Sequence, residues 1–119
     1  MPLTQLPTDA DIAELLTSER LLLFKHSPTC PVSAHAFYEY RAFVEENPAL
    51  ETLWLDVIAQ RPASLAIAES TGITHQSPQA LWISDGAVAW HASHGSITRA
   101  ALAELESTNA ELAKARDEA

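Results

Sequence analysis

At 119 residues the chain is long enough to bury the core of one domain and too short for two, so a single domain over 1–119 is expected. Hydrophobic residues make up 47% and charged residues 19%, as in a folded globular chain, and 7 Lys and Arg against 16 Asp and Glu leave a formal charge of −9. Nucleic acid and anionic lipid are thereby excluded as main partners, and no apolar run reaches the roughly 20 residues of a membrane span.

Residues 1–7 read as a lead-in, and Met1-Pro2-Leu3-Thr4-Gln5 lacks the basic-then-apolar pattern of a secretion signal. Thr8, Asp9 and Asp11 offer capping side chains, while Ile12, Leu15 and Leu16 recur at helical spacing; a first helix is expected over 9–18. The apolar run Leu21-Leu22-Leu23-Phe24, continued to His26, predicts a strand buried on both faces. After Pro28 and Pro31, the residues Ala36, Phe37, Tyr40, Phe43 and Val44 share one helical face, which Asn47-Pro48 ends. Leu53, Trp54, Leu55 and Val57 mark a second strand over 50–57.

Pro62 suits a helix start, and Gly72 ends that helix. Ala80 to Ile83 and Ala87 to Trp90 flank Asp85-Gly86, a strong hairpin signal. From Ser96-Ile97-Thr98 a last helix carries Ala101, Leu102, Leu105 and Leu112, with a polar tail over 114–119 expected to fray. The order strand, helix, strand implies a parallel pair, and the hairpin adds antiparallel strands. A four-stranded mixed sheet flanked by helices, with an extra N-terminal helix, buries these faces most simply; the fold class is α/β.

Cys30 is the only cysteine, so no internal disulfide framework exists and the cytoplasm is favoured. It sits in Ser27-Pro28-Thr29-Cys30-Pro31-Val32-Ser33, between a strand and the start of a helix. Backbone N–H groups and the positive end of the helix dipole converge there and favour thiolate, the attacking species in thiol–disulfide exchange. Pro31 at the first helical position gives up an N–H that would be unpaired anyway. Ser33 occupies the place of the second cysteine of a Cys-x-x-Cys pattern, one turn on, where its hydroxyl is able to donate to the thiolate. Lys25 and His26 add positive charge nearby, on opposite sides of the strand. His75, His91 and His94 offer imidazoles, but no spacing matches a structural zinc pattern, and no metal is expected.

A strand, a Cys-Pro-x-Ser turn, a helix and a later Ser77-Pro78 before a strand resemble the thioredoxin fold. In that fold the X-Pro bond ahead of the third core strand is cis and faces the cysteine. More narrowly, Phe24-Lys25-His26-Ser27-x-Thr29-Cys30-Pro31-Val32-Ser33, His75-x-Ser77-Pro78-Gln79 and Trp90-His91-x-Ser93-His94 resemble the monothiol bacilliredoxin family, thioredoxin-like proteins of bacteria that use bacillithiol. The resemblance runs from about Leu21 to Leu105. It departs at Gly95, where a bulky aromatic is expected, and at Pro28, where a small polar residue is usual.

The resemblance implies a monothiol thiol–disulfide oxidoreductase that removes bacillithiol, or a similar small thiol, from mixed disulfides on oxidised client proteins. Cys30 and Ser33 would carry the chemistry, and Thr29, Pro31, His75, Ser77 and Pro78 would line the thiol. No tightly bound cofactor is implied; bacillithiol is a co-substrate, and a second thiol or a reductase regenerates the enzyme. The alternatives are a glutathione-dependent monothiol glutaredoxin-like protein, or a non-catalytic thioredoxin-like stress or binding protein in which Cys30 is only a modification site.

Overall fold

The computed structural model describes residues 3–118. Its strands β1 (Arg20–His26), β2 (Thr52–Asp56), β3 (Gln79–Ser84) and β4 (Ala87–Ser93) form one sheet in the order β2-β1-β3-β4. β1 and β2 are parallel, joined across the sheet by helix α2 (Pro31–Glu46); β1–β3 and β3–β4 are antiparallel. A short α1 (Ile12–Leu15) precedes the sheet, α3 (Arg61–Thr71) leads from β2 to β3, and α4 (Arg99–Glu118) follows β4. The expected mixed sheet flanked by helices is the architecture found.

β1 explains why its sequence shows no alternation. Leu22 and Phe24 pack on one face with Ala36, Tyr40 and Phe43 of α2 and Leu102 of α4. Leu21 and Leu23 pack on the other with Leu55 of β2, Ile67 of α3 and Ile83 of β3. Covered on both faces, the strand leaves no solvated side chain between Leu21 and Lys25. Each fully buried leucine contributes roughly 1.5–3 kcal/mol over an exposed one, so this strand anchors both cores.

Turn chemistry sets the element ends. Asp85 and Gly86 have φ of 51° and 78°, so both central hairpin residues are left-handed, as the right-handed twist of the flanking strands requires. Gly72 caps α3 with φ 74°, its N–H donating to the Ala68 carbonyl at 2.9 Å. The β3–β4 register steps from Trp82↔Trp90 to Ile83↔Val88, leaving Ala89 as the extra residue of a bulge.

Two regions differ from expectation. The first helix is a single turn rather than a span over 9–18. Asp11 caps its start by accepting from the Glu14 N–H at 3.2 Å. The Thr17 and Ser18 hydroxyls donate to the Glu14 and Leu15 carbonyls, both at 2.6 Å, which closes the turn through side chains instead of continuing the helix. The lead-in is also structured: the Leu6 N–H donates to the Trp54 carbonyl at 2.7 Å, the Trp54 N–H to the Thr4 carbonyl at 3.0 Å, and Leu6 is buried. These bonds cover the outer edge of β2. The backbone of α4 is helical to Glu118; the Leu112 side chain and the end of the expected tail lie outside the described residues. Among the described residues no helix is long and apolar enough to cross a membrane.

Candidate active site

The strand pairings gather the chemistry at one end of the sheet. His26 ends β1 opposite Asp56, which ends β2; Lys25 lies opposite Gln79, which starts β3; and Gln79 lies opposite Ser93, which ends β4. The Cys30 turn, the Ser77-Pro78 segment and the loop after β4 therefore leave the sheet at the same end. The Ser77–Pro78 peptide bond is cis, and the His94 N–H donates to the Pro78 carbonyl at 3.0 Å.

Cys30 is the N-cap residue of α2, with extended φ and ψ of −107° and 122°, and its thiol is partly exposed. Its N–H donates to the Ser27 carbonyl at 3.2 Å, closing a four-residue turn with Pro28 second. That position prefers the fixed φ of proline, so the Pro28 departure from the family pattern suits the backbone. Pro31, Val32 and Ser33 then occupy the first three helical positions. Cys30 thus stands at the position where an N-cap oxygen serves the first amides of a helix, and its sulfur makes no side-chain capping hydrogen bond. Thr29 and Pro31 are both exposed beside it.

Ser33 is fully buried, and its hydroxyl has definite partners. The Ser27 N–H donates to Ser33 Oγ at 2.8 Å, and His26 Nδ1 lies 2.8 Å from the same oxygen. Among the described residues no hydrogen bond joins Ser33 to the Cys30 sulfur. The His26 ring stacks on Phe37 of α2 at 4.3 Å between centroids and meets the edge of Trp54 at 6.1 Å. Burial holds its pKa below the ordinary histidine value, and the Asp56 carboxylate partly opposes that shift. Sequence reading places His26 beside the site but misses this bond, because residues seven apart meet only once the 27–30 turn folds back.

On the opposite face of β1, Lys25 is fully buried. Its Nζ donates to the Ser64 carbonyl of α3 at 3.0 Å and lies 3.2 Å from His75 Nδ1. Ser64 Oγ is also 3.2 Å from that nitrogen. Burial first, then the charges of Lys25 and Arg61, hold the His75 pKa below its ordinary value, and facing the Lys25 ammonium, which has only donors, Nδ1 accepts. His75 thus ties the segment ahead of Pro78 to β1 and α3. Gln79, next to Pro78, is buried and donates from Nε2 to the Thr74 carbonyl at 3.1 Å. Ser77 is partly exposed and Pro78 buried. Of the two later histidines, His91 lies exposed on β4, and His94 exposed in a 3-10 turn. Gly95, in the same turn, has open space where a Cβ would stand. Among the described residues no three His, Cys, Asp or Glu side chains are grouped to hold a metal ion.

The family described as Monothiol bacilliredoxin BrxC matches residues 2–102, which includes the cysteine turn, the cis-proline segment and the loop after β4. The chain belongs to the monothiol bacilliredoxin family. A solved thioredoxin-fold protein proposed as an oxidoreductase is 30% identical over 87% of this chain and 93% of its own, with a TM-score of 0.78. Desulfothioredoxin from Desulfovibrio vulgaris Hildenborough, in its reduced form, is 21% identical over 91% and 99% of the two chains, with a TM-score of 0.68. Mitochondrial thioredoxin 3 from Saccharomyces cerevisiae, in its oxidised form, is 16% identical over 86% and 91%, with a TM-score of 0.64. The last two share the fold alone. As a bacilliredoxin of thioredoxin fold, the protein is a thiol–disulfide oxidoreductase, and its partners are thiols and protein disulfides.

Proposed function

We propose that this bacilliredoxin removes bacillithiol, or a similar low-molecular-weight thiol, from mixed disulfides on oxidised client proteins. The observation that carries the reading is the partly exposed Cys30 sulfur at the N-cap of α2, with a buried serine, Ser33, where a resolving cysteine would stand. The Cys30 thiolate attacks the small thiol's sulfur in the mixed disulfide. A bond forms between the two sulfurs, the old S–S bond breaks, and its electron pair leaves on the client sulfur, which takes a proton from water. The client is reduced, and Cys30 is left joined to the small thiol.

Ser33 has no sulfur with which to displace that adduct, so a second thiol must. Its thiolate attacks the small-thiol sulfur of the adduct, frees Cys30 as thiolate and leaves as a small-molecule disulfide for a reductase to reduce. Thr29, Pro31, Ser77 and Pro78 would line the thiol, with the backbone beside Pro78 holding it extended, and His75 would support that segment from behind. No tightly bound cofactor enters the scheme; bacillithiol acts as co-substrate. A lone thiol of this kind suits the reducing cytoplasm.

A Cys30→Ser variant tests the scheme with a client protein carrying the small thiol. Release of the thiol should fall to the uncatalysed rate, and undiminished release sinks the reading. Intact mass spectrometry of the protein taken from oxidatively stressed cells should find an adduct on Cys30 with the mass of bacillithiol. An adduct with the mass of glutathione would replace the substrate and keep the mechanism.

A further inference from the structure

Ser33 Oγ has a simple accounting problem. A hydroxyl offers one hydrogen and two lone pairs. One lone pair is taken by the Ser27 N–H at 2.8 Å, a backbone donor whose direction never reverses. The contact with His26 Nδ1, also 2.8 Å, has two possible polarities, because a ring nitrogen accepts or donates according to its tautomer. With the hydrogen on Nε2, Nδ1 accepts and the Ser33 hydrogen is held by His26. With the hydrogen on Nδ1, the imidazole fills the second lone pair, and the Ser33 hydrogen must point elsewhere. Ser33 is the third residue of α2 and Cys30 its N-cap residue, the spacing at which the two sulfurs of a Cys-x-x-Cys pair are able to join.

We propose that His26 is a positioning residue that acts on Cys30 through Ser33: an Nδ1–H imidazole turns the Ser33 hydroxyl toward the sulfur when it is a thiolate, and an Nε2–H imidazole takes it back when the sulfur is in a disulfide. This rests on Cys30 being the attacking thiolate and adds what its surroundings do during the cycle. A thiolate is a charged acceptor that the hydroxyl prefers to a neutral nitrogen, whereas a disulfide sulfur is a poor acceptor that it does not. The ring itself has little freedom to move. Phe24 flanks it from its own strand, Phe37 from α2 and Trp54 from β2, and Asp56 at the end of β2 is the charged group facing it. With Ser33 buried and the half-buried His26 ring held between aromatic rings, the pair transmits the change by moving hydrogens rather than heavy atoms.

Nitrogen-15 NMR of the His26 ring on the intact protein reads the tautomer directly. The expected result is a shift from Nδ1–H in the thiolate form toward Nε2–H once Cys30 is blocked with iodoacetamide, and loss of that response in Ser33→Ala. A single tautomer unchanged by blocking overturns the proposal. The kinetic counterpart is the rate at which Cys30 opens a small-molecule disulfide.

A hydrogen bond to a charge raises the thiolate fraction roughly tenfold, and the accompanying loss of nucleophilicity, with a Brønsted slope of ~0.4–0.5, gives back about threefold. Ser33→Ala should therefore react about threefold more slowly at neutral pH, and Ser33→Thr, which restores a hydroxyl, should recover the rate. The ratio of wild type to Ser33→Ala should grow as His26 becomes imidazolium in acid, since Nδ1 is then a donor only. In a His26→Phe background, which keeps the stacked ring, the same ratio should stay flat with pH; equal slopes in both backgrounds overturn the proposal. If Cys30→Ser still opens disulfides, the thiolate reading itself has failed; if only the ratios are flat, His26 has no part in it.

Discussion

Lys25 carries a charge into the interior directly behind the active-site turn. Its side chain is fully buried between β1 and α3, with the Ser64 carbonyl and His75 Nδ1 as partners and, among the described residues, no carboxylate paired with it. Burial lowers its pKa from 10.5 to about 8. Between those two values the folded protein has released a proton that the unfolded chain still holds, so stability rises with pH across that window. Below pH 8 both states are charged and the full cost of burying the ammonium remains, of order 3 kcal/mol by the size of the shift. Lys25→Met removes the titration at similar volume. Relative to this variant, wild type should gain stability in urea unfolding between pH 8 and about 10, and a pH-independent difference would show that buried Lys25 keeps its proton through that window, its pKa not lowered by burial. The variant should also loosen the segment before Pro78, because His75 Nδ1 and the Ser64 carbonyl lose their shared donor. None of this was legible in the sequence beyond the side of the strand on which Lys25 lies. Alternation assigns a face, but it does not say that an α3 carbonyl and a loop imidazole wait there.

At the scale of elements, α2 matters most, because its first turn holds both the sulfur and the position from which a second sulfur would resolve it. Its boundaries were plain in the sequence: Pro31 fits only a first-turn position and Asn47-Pro48 only an end, and the helix runs Pro31–Glu46. The hairpin and the end of α3 were equally plain, since Asp85-Gly86 and Gly72 supply the positive φ those turns need. What stayed hidden was set by tertiary contact. α1 stops after one turn because Thr17 and Ser18 bond back to the chain, and the lead-in is drawn against β2 by backbone bonds that no side-chain pattern records. The Ala89 bulge likewise leaves no pattern of its own. The placement of Cys30 and Ser33 in one turn yields a direct test. Ser33→Cys puts two thiols at the N-cap and third positions, the spacing of a Cys-x-x-Cys pair. Oxidised Ser33→Cys should close an internal disulfide, seen as the loss of two hydrogens by intact mass, and should carry no lasting small-thiol adduct. A stable Cys30 adduct in that variant would mean that the introduced sulfur is turned away from Cys30.

For the whole molecule, the formal charge of −9 sets how charged thiols reach Cys30. Arg20, Arg41 and Arg99 are held by Glu106, Glu45 and Glu46, so their charge is neutralised where they stand. The protein measures 45 × 28 × 27 Å, and at an ionic strength of 0.01 M the Debye length is ~30 Å, so charge on nearly the whole surface acts on an approaching ligand. At 0.15 M the length is ~8 Å, and only groups near the sulfur remain in play. The regenerating step, in which a free thiol attacks the Cys30 adduct, should then respond to salt according to the thiol's own charge. With 2-mercaptoethanesulfonate, an anion, the rate should rise by a few-fold between the two ionic strengths, as repulsion by the acidic surface is screened. With cysteamine, whose attacking thiolate is a zwitterion of zero net charge, it should change little. Stopped-flow measurement with both thiols separates this from any general effect of salt on the protein, which would move both rates the same way. If the anion instead slows with added salt, the cations behind the cis-proline segment, Lys25 and Arg61, outweigh the net charge, and the site selects anionic thiols against the field of the rest of the surface.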